Sequence, residues 1–221
     1  MKPLLILSLL AAIAGSAIFA CISGRSANPQ GIEVGRLSSD HSLIRHDQQP
    51  SAGLCPWRNP EADRRRFFPA STSSRDETLI LSRHRLELQR RLGHAPTGDE
   101  SAIIVHRILA QQGSPGVVVT RRVRGENGLI ELVLAVDAKG RVTGAKVQRH
   151  REPEATARAL QSESWLGAMD GKDSCSAWSL GQDIPDVPAE ARLSAEAIVK
   201  EAKTVLILLD VALHSDSALP H

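Results

Sequence analysis

The sequence is poor in aromatic residues and lacks the short motifs that mark most catalytic sites. Aromatic side chains make up 3% of its 221 residues, and there is no tyrosine. Stacking partners for a planar ligand are therefore scarce. It contains no paired-carboxylate pattern, nucleophile elbow, P-loop, dinucleotide-binding glycine motif or HExxH. Motifs alone thus assign no reaction to the chain.

Cysteine is also rare, which limits redox and metal chemistry. The three cysteines are Cys21, Cys55 and Cys175, and none belongs to a CxxC motif, so a thioredoxin-type site is excluded. In an oxidising compartment Cys55 and Cys175 could form a disulfide or remain two thiols, and the sequence leaves both open. The eight histidines show no ligand spacing that predicts a metal site.

Neither sign of charge dominates. The formal net charge is +2, which gives no electrostatic case for a nucleic-acid partner. Basic runs such as Arg64–Arg66 and Arg83–Arg91 are typical of solvated helix faces.

The amino-terminal residues are set apart by an uncharged apolar run from Pro3 to Gly24 after Met1-Lys2. This run is about long enough to cross a bilayer and also has the form of an export signal. Ile18 to Cys21 resembles a loose lipobox. Residues 1–24 are therefore predicted to be a membrane anchor or signal segment, with a lipoprotein attached at Cys21 as the alternative. An anchor or a lipidated Cys21 makes the membrane a partner, and all of these segments, a cleaved signal included, place the rest of the chain in the periplasm.

The next hundred residues divide into two predicted stretches. Residues 25–75 are rich in Ser, Pro, Gly and Arg and predict a linker or irregular lead-in. Residues 76–123 predict a helical lead-in and a first strand. Its helices are expected at Asp76–Leu92, ended by Gly93, and at Asp99–Gln112, and the strand at Val117–Val123.

The clearest pattern in the chain is a hairpin from Gly128 to His150. Its first strand carries apolar residues on both faces, so we expect it to be the covered, central strand of the domain. Asp137 to Gly140 supplies the turn, and Gly144 in the return strand predicts a bulge.

The carboxyl-terminal part predicts two helices around a loop. The helices are expected at Pro153–Gln161 and from Ser194, as the N-cap, to Leu213. The loop covers Asp173–Pro188, and residues 214–221 read as a tail. Strands and helices are mixed along the chain, without a regular repetition of βαβ units. The sequence therefore predicts an α+β fold: a small antiparallel sheet with flanking helices.

From Gly128 onward the order of motifs resembles the FMN-binding domain of the G subunit of Rnf ion-translocating electron-transport complexes. It is similar also to the C subunit of the sodium-translocating NADH:quinone reductase. The motifs of the family follow one another in a fixed order. They are a glycine-led strand, a D-x-x-G turn, H-x-E, W…x-G-K and S-G-A-T-x-[ST]. Here they correspond to Gly128–Asp137, Asp137–Gly140, His150–Glu152, Trp165 with Gly171-Lys172, and Ala189–Ser194. The resemblance covers residues 124–213, our predicted FMN-binding-like domain.

The resemblance implies a cofactor site, and the departures from it restrict that site. The family's threonine carries FMN through a phosphoester bond, but Arg192 stands at that position, so covalent attachment is not expected. Glu190 replaces the glycine that lets the backbone approach the ligand. Noncovalent FMN would use the first turn of the last helix for its phosphate. The residues implied to line the site are Ala191, Arg192, Leu193, Ser194, His150, Glu152 and Trp165.

For each of these residues a structural role competes with the cofactor role. Ser194 would be an N-cap, and Arg192 would be a solvated side chain. His150 and Glu152 would form an exposed strand end, and Trp165 would be a core residue. The expected function is a periplasm-facing, inner-membrane subunit of an Rnf-like electron-transport complex, with that complex's other subunits as partners. The alternatives are a flavin-free interaction or assembly module, and an exported lipoprotein that shares only the fold.

Overall fold

The computed structural model describes residues 55–216, with side chains to residue 213. All of them belong to one compact unit. The predicted anchor, Cys21, the linker up to residue 54 and the end of the predicted tail lie outside the described residues.

The described chain contains five helices and five strands. The helices are α1 (Pro60–Phe67), α2 (Arg85–Leu92), α3 (Glu154–Leu160), α4 (Glu163–Gly167) and α5 (Arg192–Asp216). The strands are β1 (Ser71–Ile80), β2 (Ala102–Ala110), β3 (Gly116–Arg124), β4 (Leu129–Asp137) and β5 (Val142–Arg149). Short 3-10 turns occur at Ser82–His84, Gly98–Glu100 and Ala189–Ala191.

The strands form one antiparallel sheet in the order β1-β2-β3-β4-β5. Each strand pairs with the next one along the chain, so the connections are hairpins or short excursions. The α+β fold with an antiparallel sheet and flanking helices is confirmed.

One face of the sheet, which we call the inner face, packs against α5 and carries the main core. β4 contributes Ile130, Leu132, Leu134 and Val136 to it, all at most 1% exposed. α5 contributes Ile198, Val205 and Leu206 to the same core, and these residues are also at most 1% exposed. An ion pair between Arg121 on β3 and Glu201 on α5, at 2.7 Å, fixes the helix across the sheet.

The outer face is covered in part by the segment from Cys55 to Phe68, which we call the lead-in segment. Its apolar contact is a small cluster in which Phe68, Trp57 and Phe67 meet Val118 and Val133. A Cβ on Gly144 would lie 2.3 Å from the Phe67 ring, so only glycine leaves room for it. The rest of the attachment is polar: Asp63 accepts from Trp57 Nε1 at 2.9 Å and pairs with Lys146 at 2.7 Å.

One predicted helix is wrong, and another is wrong over its first part, because the residues form strands instead. Residues 76–80 belong to β1, and helix begins only at Arg85, ending as expected at Gly93 with φ of 78°. Residues 102–110, expected in a helix, form β2. There Ile103 and Val105 face the inner core while Ile108 faces the outer cluster. A strand that is apolar on both faces carries apolar residues at spacings that also fit a helix. The sequence pattern therefore predicted a helix where the chain forms a strand.

Other expectations hold with smaller changes. β3, β4, β5, α3 and the long final helix are present, and residues 173–188 contain neither a helix nor a strand of the sheet. β4 is covered on both faces, but it is the fourth strand in order rather than the central one. The expected bulge lies at Thr143, where the register shifts between Gly144 and Val142. The predicted lead-in also contains α1 and the start of β1.

Two features bear on location and redox state. No helix among the described residues is long and apolar enough to span a membrane. Cys55 and Cys175 form no disulfide. Burial, with the nearby charge of Glu131, raises the pKa of the Cys55 thiol, so its reactive thiolate is disfavoured.

Candidate functional site

Two of the residues implied to line a cofactor site, Glu152 and Ser194, come into contact where the β3–β4 loop, the segment after β5 and the start of α5 meet. At this junction the Ser194 hydroxyl accepts a hydrogen bond from the Glu126 backbone N–H at 2.8 Å and donates one to Glu152 Oε1 at 2.8 Å. Ser194 is fully buried and Glu152 is 6% exposed. The hydroxyl and the carboxylate therefore hold three segments of the chain together.

Asn127 completes this network from the loop. Its side-chain Nδ2 donates to Glu152 Oε2 at 2.7 Å, and its backbone N–H donates to Oε1 at 3.3 Å. Burial raises the pKa of Glu152, but the hydrogen bonds from Asn127 and Ser194 and the nearby His150 outweigh it. The pKa of Glu152 therefore lies below its ordinary value of 4.5. The carboxylate is thus held in its charged form inside the protein.

Glycine at the ends of the loop permits this close packing. A Cβ on Gly125 would lie 2.2 Å from Glu152 Oε1 and 2.8 Å from Ser194 Oγ. Gly128 has φ of 142° and its backbone lies under the Arg151 side chain. Gly125 N–H also bonds the Gly128 carbonyl at 2.8 Å, closing the loop.

Ser194 is not the N-cap of the last helix, contrary to the sequence prediction. The 3-10 turn at Ala189–Ala191 runs directly into α5, which begins at Arg192. Ser194 thus lies in the first turn, and its hydroxyl bonds the β3–β4 loop and Glu152.

The neighbours of Ser194 point in different directions. Arg192 is exposed and pairs with Asp186 at 2.9 Å and Glu196 at 3.1 Å. Leu193 is 60% exposed, whereas Ala191 is fully buried in the main core. The attachment position is therefore occupied by a side chain that already has two acidic partners.

His150 and Glu152 border a shallow cavity of about 420 Å³ at the end of β5. Its remaining walls are Glu154, Ala157, Arg158 and Gln161. His150 Nδ1 is buried there without a hydrogen-bond partner among the described residues. Five of its six lining residues are polar or charged, and none is phenylalanine, tryptophan or tyrosine.

Trp165 is not in this cavity. It is 4% exposed within the main core, and its Nε1 donates to the Pro185 carbonyl at 3.0 Å. Its position matches the structural role considered for it.

Sequence reasoning missed the members of the network that lie in the β3–β4 loop. Gly125 and Asn127 were not singled out, although Asn127-Gly128 is a strong hairpin signal. It also missed a larger cavity, of about 1050 Å³, on the outer face beside Trp57, His106 and Arg122. That cavity depends on β1 and β2, which the sequence predicted as helices.

Comparison with known proteins adds nothing to these observations: no family model matches the chain, and no curated protein matches it.

The residues at the junction do not fit FMN held in the manner of the resembled family. Position 192 has no hydroxyl, and the only hydroxyl in the first turn of α5, that of Ser194, is buried and bonded on both sides. The Glu152 carboxylate lies beside that turn and would repel a phosphate dianion. Glu190 and Glu196 add further negative charge near the helix start. No group of acidic, histidine or cysteine side chains among the described residues could hold a metal ion.

Proposed function

We propose that this chain is an exported, membrane-attached subunit of an Rnf-like electron-transport complex. In this proposal its FMN-binding-like domain works as a flavin-free interaction module on the periplasmic side of the inner membrane. The complex and the location rest on the motif order from Gly128 to Ser194 and on the apolar run at residues 3–24.

The single observation that carries the flavin-free part is the buried Glu152–Ser194 contact. It joins the segment after β5 to the first turn of α5, two residues from the attachment position that the resemblance implies, and it places a buried carboxylate against that turn. Because a buried carboxylate and a phosphate would compete for the same helix turn, the network supports a structural role.

Noncovalent FMN is the second candidate, and one observation favours it. His150 borders the cavity of about 420 Å³ and its buried Nδ1 has no hydrogen-bond partner among the described residues, so a ligand could supply that partner. The polar wall and the absence of an aromatic side chain fit a flavin ring poorly.

The visible absorption spectrum of the purified full-length chain separates these functions. We expect no flavin band, either as isolated or after incubation with FMN. A band released on denaturation would instead support the second candidate, and one that stays with the denatured chain would contradict both.

A matched variant makes a negative result informative. Ala189→Ser, Glu190→Gly and Arg192→Thr together restore the family's attachment motif. Expressed in a bacterium that flavinylates this family, this variant should also remain colourless, because the Glu152 carboxylate still lies against the first turn of α5 and repels the phosphate. Adding Glu152→Ala should then permit flavin incorporation.

A further inference from the structure

A group of arginines lies on the outer face, near the β3–β4 loop, and the proposed function gives it no role. Glu131 on β4 lies directly opposite Arg122 on β3 and Arg149 on β5. Arg58 of the lead-in segment binds the same carboxylate through Nε at 2.6 Å and Nη2 at 2.9 Å. We call Arg58, Arg122, Arg124 and Arg149 the arginine cluster.

The cluster has more positive charge than its surroundings neutralise. Glu131 is 6% exposed, and its carboxylate accepts hydrogen bonds from Arg58 and Gln148 while the charges of Arg122 and Arg149 act on it from a distance. This single carboxylate faces the four arginines. Arg122, Arg124 and Arg149 are exposed and form no ion pair with another described residue. The nearby acid is Glu126 in the loop, and the Arg151 side chain, lying over Gly128, adds another cation.

An apolar side chain accompanies these cations. Leu129 lies directly opposite Arg124 and is 51% exposed, although its neighbour Ile130 is fully buried. Exposed arginines beside an exposed leucine form the combination that binds at a bilayer interface. The guanidinium groups bind phosphates while their stems and the leucine contact the acyl boundary.

We propose that the arginine cluster docks this domain onto the anionic phospholipid headgroups of its own membrane. The inference rests on the proposed membrane attachment and not on whether flavin is bound. An anchor at residues 3–24 would keep the domain close to the bilayer, so a weak attraction would be sufficient for docking. Each arginine near a charged surface should strengthen docking about fivefold.

The test uses the full-length chain in nanodiscs of phosphatidylcholine, with or without phosphatidylglycerol, each containing a headgroup-labelled quencher lipid. Trp57 is the reporter because it lies on the outer face, with its ring 4.9 Å from that of His106. Its signal is obtained by subtracting the spectrum of Trp57→Phe. We expect phosphatidylglycerol to increase the quenching of Trp57 and high salt to reverse the increase.

Two variants of equal charge give the decisive comparison. Arg122→Gln, Arg124→Gln and Arg149→Gln together should weaken docking about a hundredfold. The control replaces Arg83, Arg85 and Arg90 by Gln; they are also exposed, but lie on or next to α2, which packs on α5. The control should dock like the unmodified chain.

The proposal would be overturned if phosphatidylglycerol did not change the quenching of Trp57. It would also be overturned if the quenching fell equally in the arginine-cluster variant and in the control variant. Crosslinks from the cluster to an acidic protein in native membranes, with no lipid dependence, would assign the surface to a protein partner instead. None of these results changes the flavin spectrum, so a failure of docking is distinguishable from a failure of the flavin-free part of the proposed function.

Discussion

The two faces of the sheet are held by different forces. The inner face buries a continuous layer of aliphatic side chains from all five strands and α5. The outer face has a small apolar cluster, and the lead-in segment is fixed there by the Asp63–Lys146 and Arg58–Glu131 ion pairs. Apolar burial is non-directional, whereas hydrogen-bonded charges require particular geometry. The inner face therefore supplies stability, and the outer face determines where one segment lies.

The largest effect should come from the inner face. Leu134 is 1% exposed in the main core, so Leu134→Ala should lower the free energy of unfolding by about 2–5 kcal/mol. Urea unfolding followed by circular dichroism measures it. Leu86→Ala is the control, since Leu86 is 85% exposed and its loss should cost little. A loss below about 1 kcal/mol for Leu134→Ala would contradict the role given to this face.

On the outer face the expected effect is intermediate and depends on pH. Hydrogen bonds from Arg58 hold the pKa of Glu131 below its ordinary value of 4.5, against the opposing effect of burial. Its stabilising contribution is thus fully present above pH 4.5 and lost as pH falls through the lower folded-state pKa. Glu131→Gln should cost about 1–2 kcal/mol at neutral pH.

The same variant should also flatten the fall of stability at acidic pH. Unfolding measured by urea across the acidic range tests this, with Glu152→Gln as a comparison because its pKa is lowered as well. If Glu131→Gln leaves the acid dependence unchanged, the Arg58 contact does not stabilise the lead-in segment.

The smallest effect should come from the candidate site. Arg192 makes two ion pairs in which all three side chains are about half exposed, so Arg192→Ala should change stability by less than about 0.5 kcal/mol. Ser194→Ala should cost about 1 kcal/mol or more, because it leaves the Glu126 N–H without its acceptor. Thermal unfolding of the two single variants ranks them. The reverse order would mean that the Glu152 network does not hold the junction.

How much the sequence predicts differs between the two ends of the sheet. β4 and β5 have a regular pattern of apolar residues and are separated by turn residues. α5 has an apolar stripe along one side, so all three elements are predictable. β1 and β2 are not, because their identity depends on pairing with each other, which places Glu77 opposite Val105 and Thr78 opposite Ile104. Such long-range pairing outweighs the local helical spacing of Ile103, Ile104 and Ile108.

The candidate site shows the same limit. Position by position, the resemblance identified Glu152 and Ser194, which the structure brings into contact. It did not reveal that they bind each other and the β3–β4 loop, because that contact joins residues far apart in the chain. It also grouped Trp165 with them, although a buried tryptophan with its N–H satisfied belongs to the core.

The fit of Gly125 against Glu152 and Ser194 has an evolutionary consequence. Any larger residue at position 125 would require the carboxylate to move, and moving the carboxylate would leave Asn127 and Ser194 without their acceptor. Substitutions at these positions are therefore interdependent, and the benefit of one depends on the others already being in place.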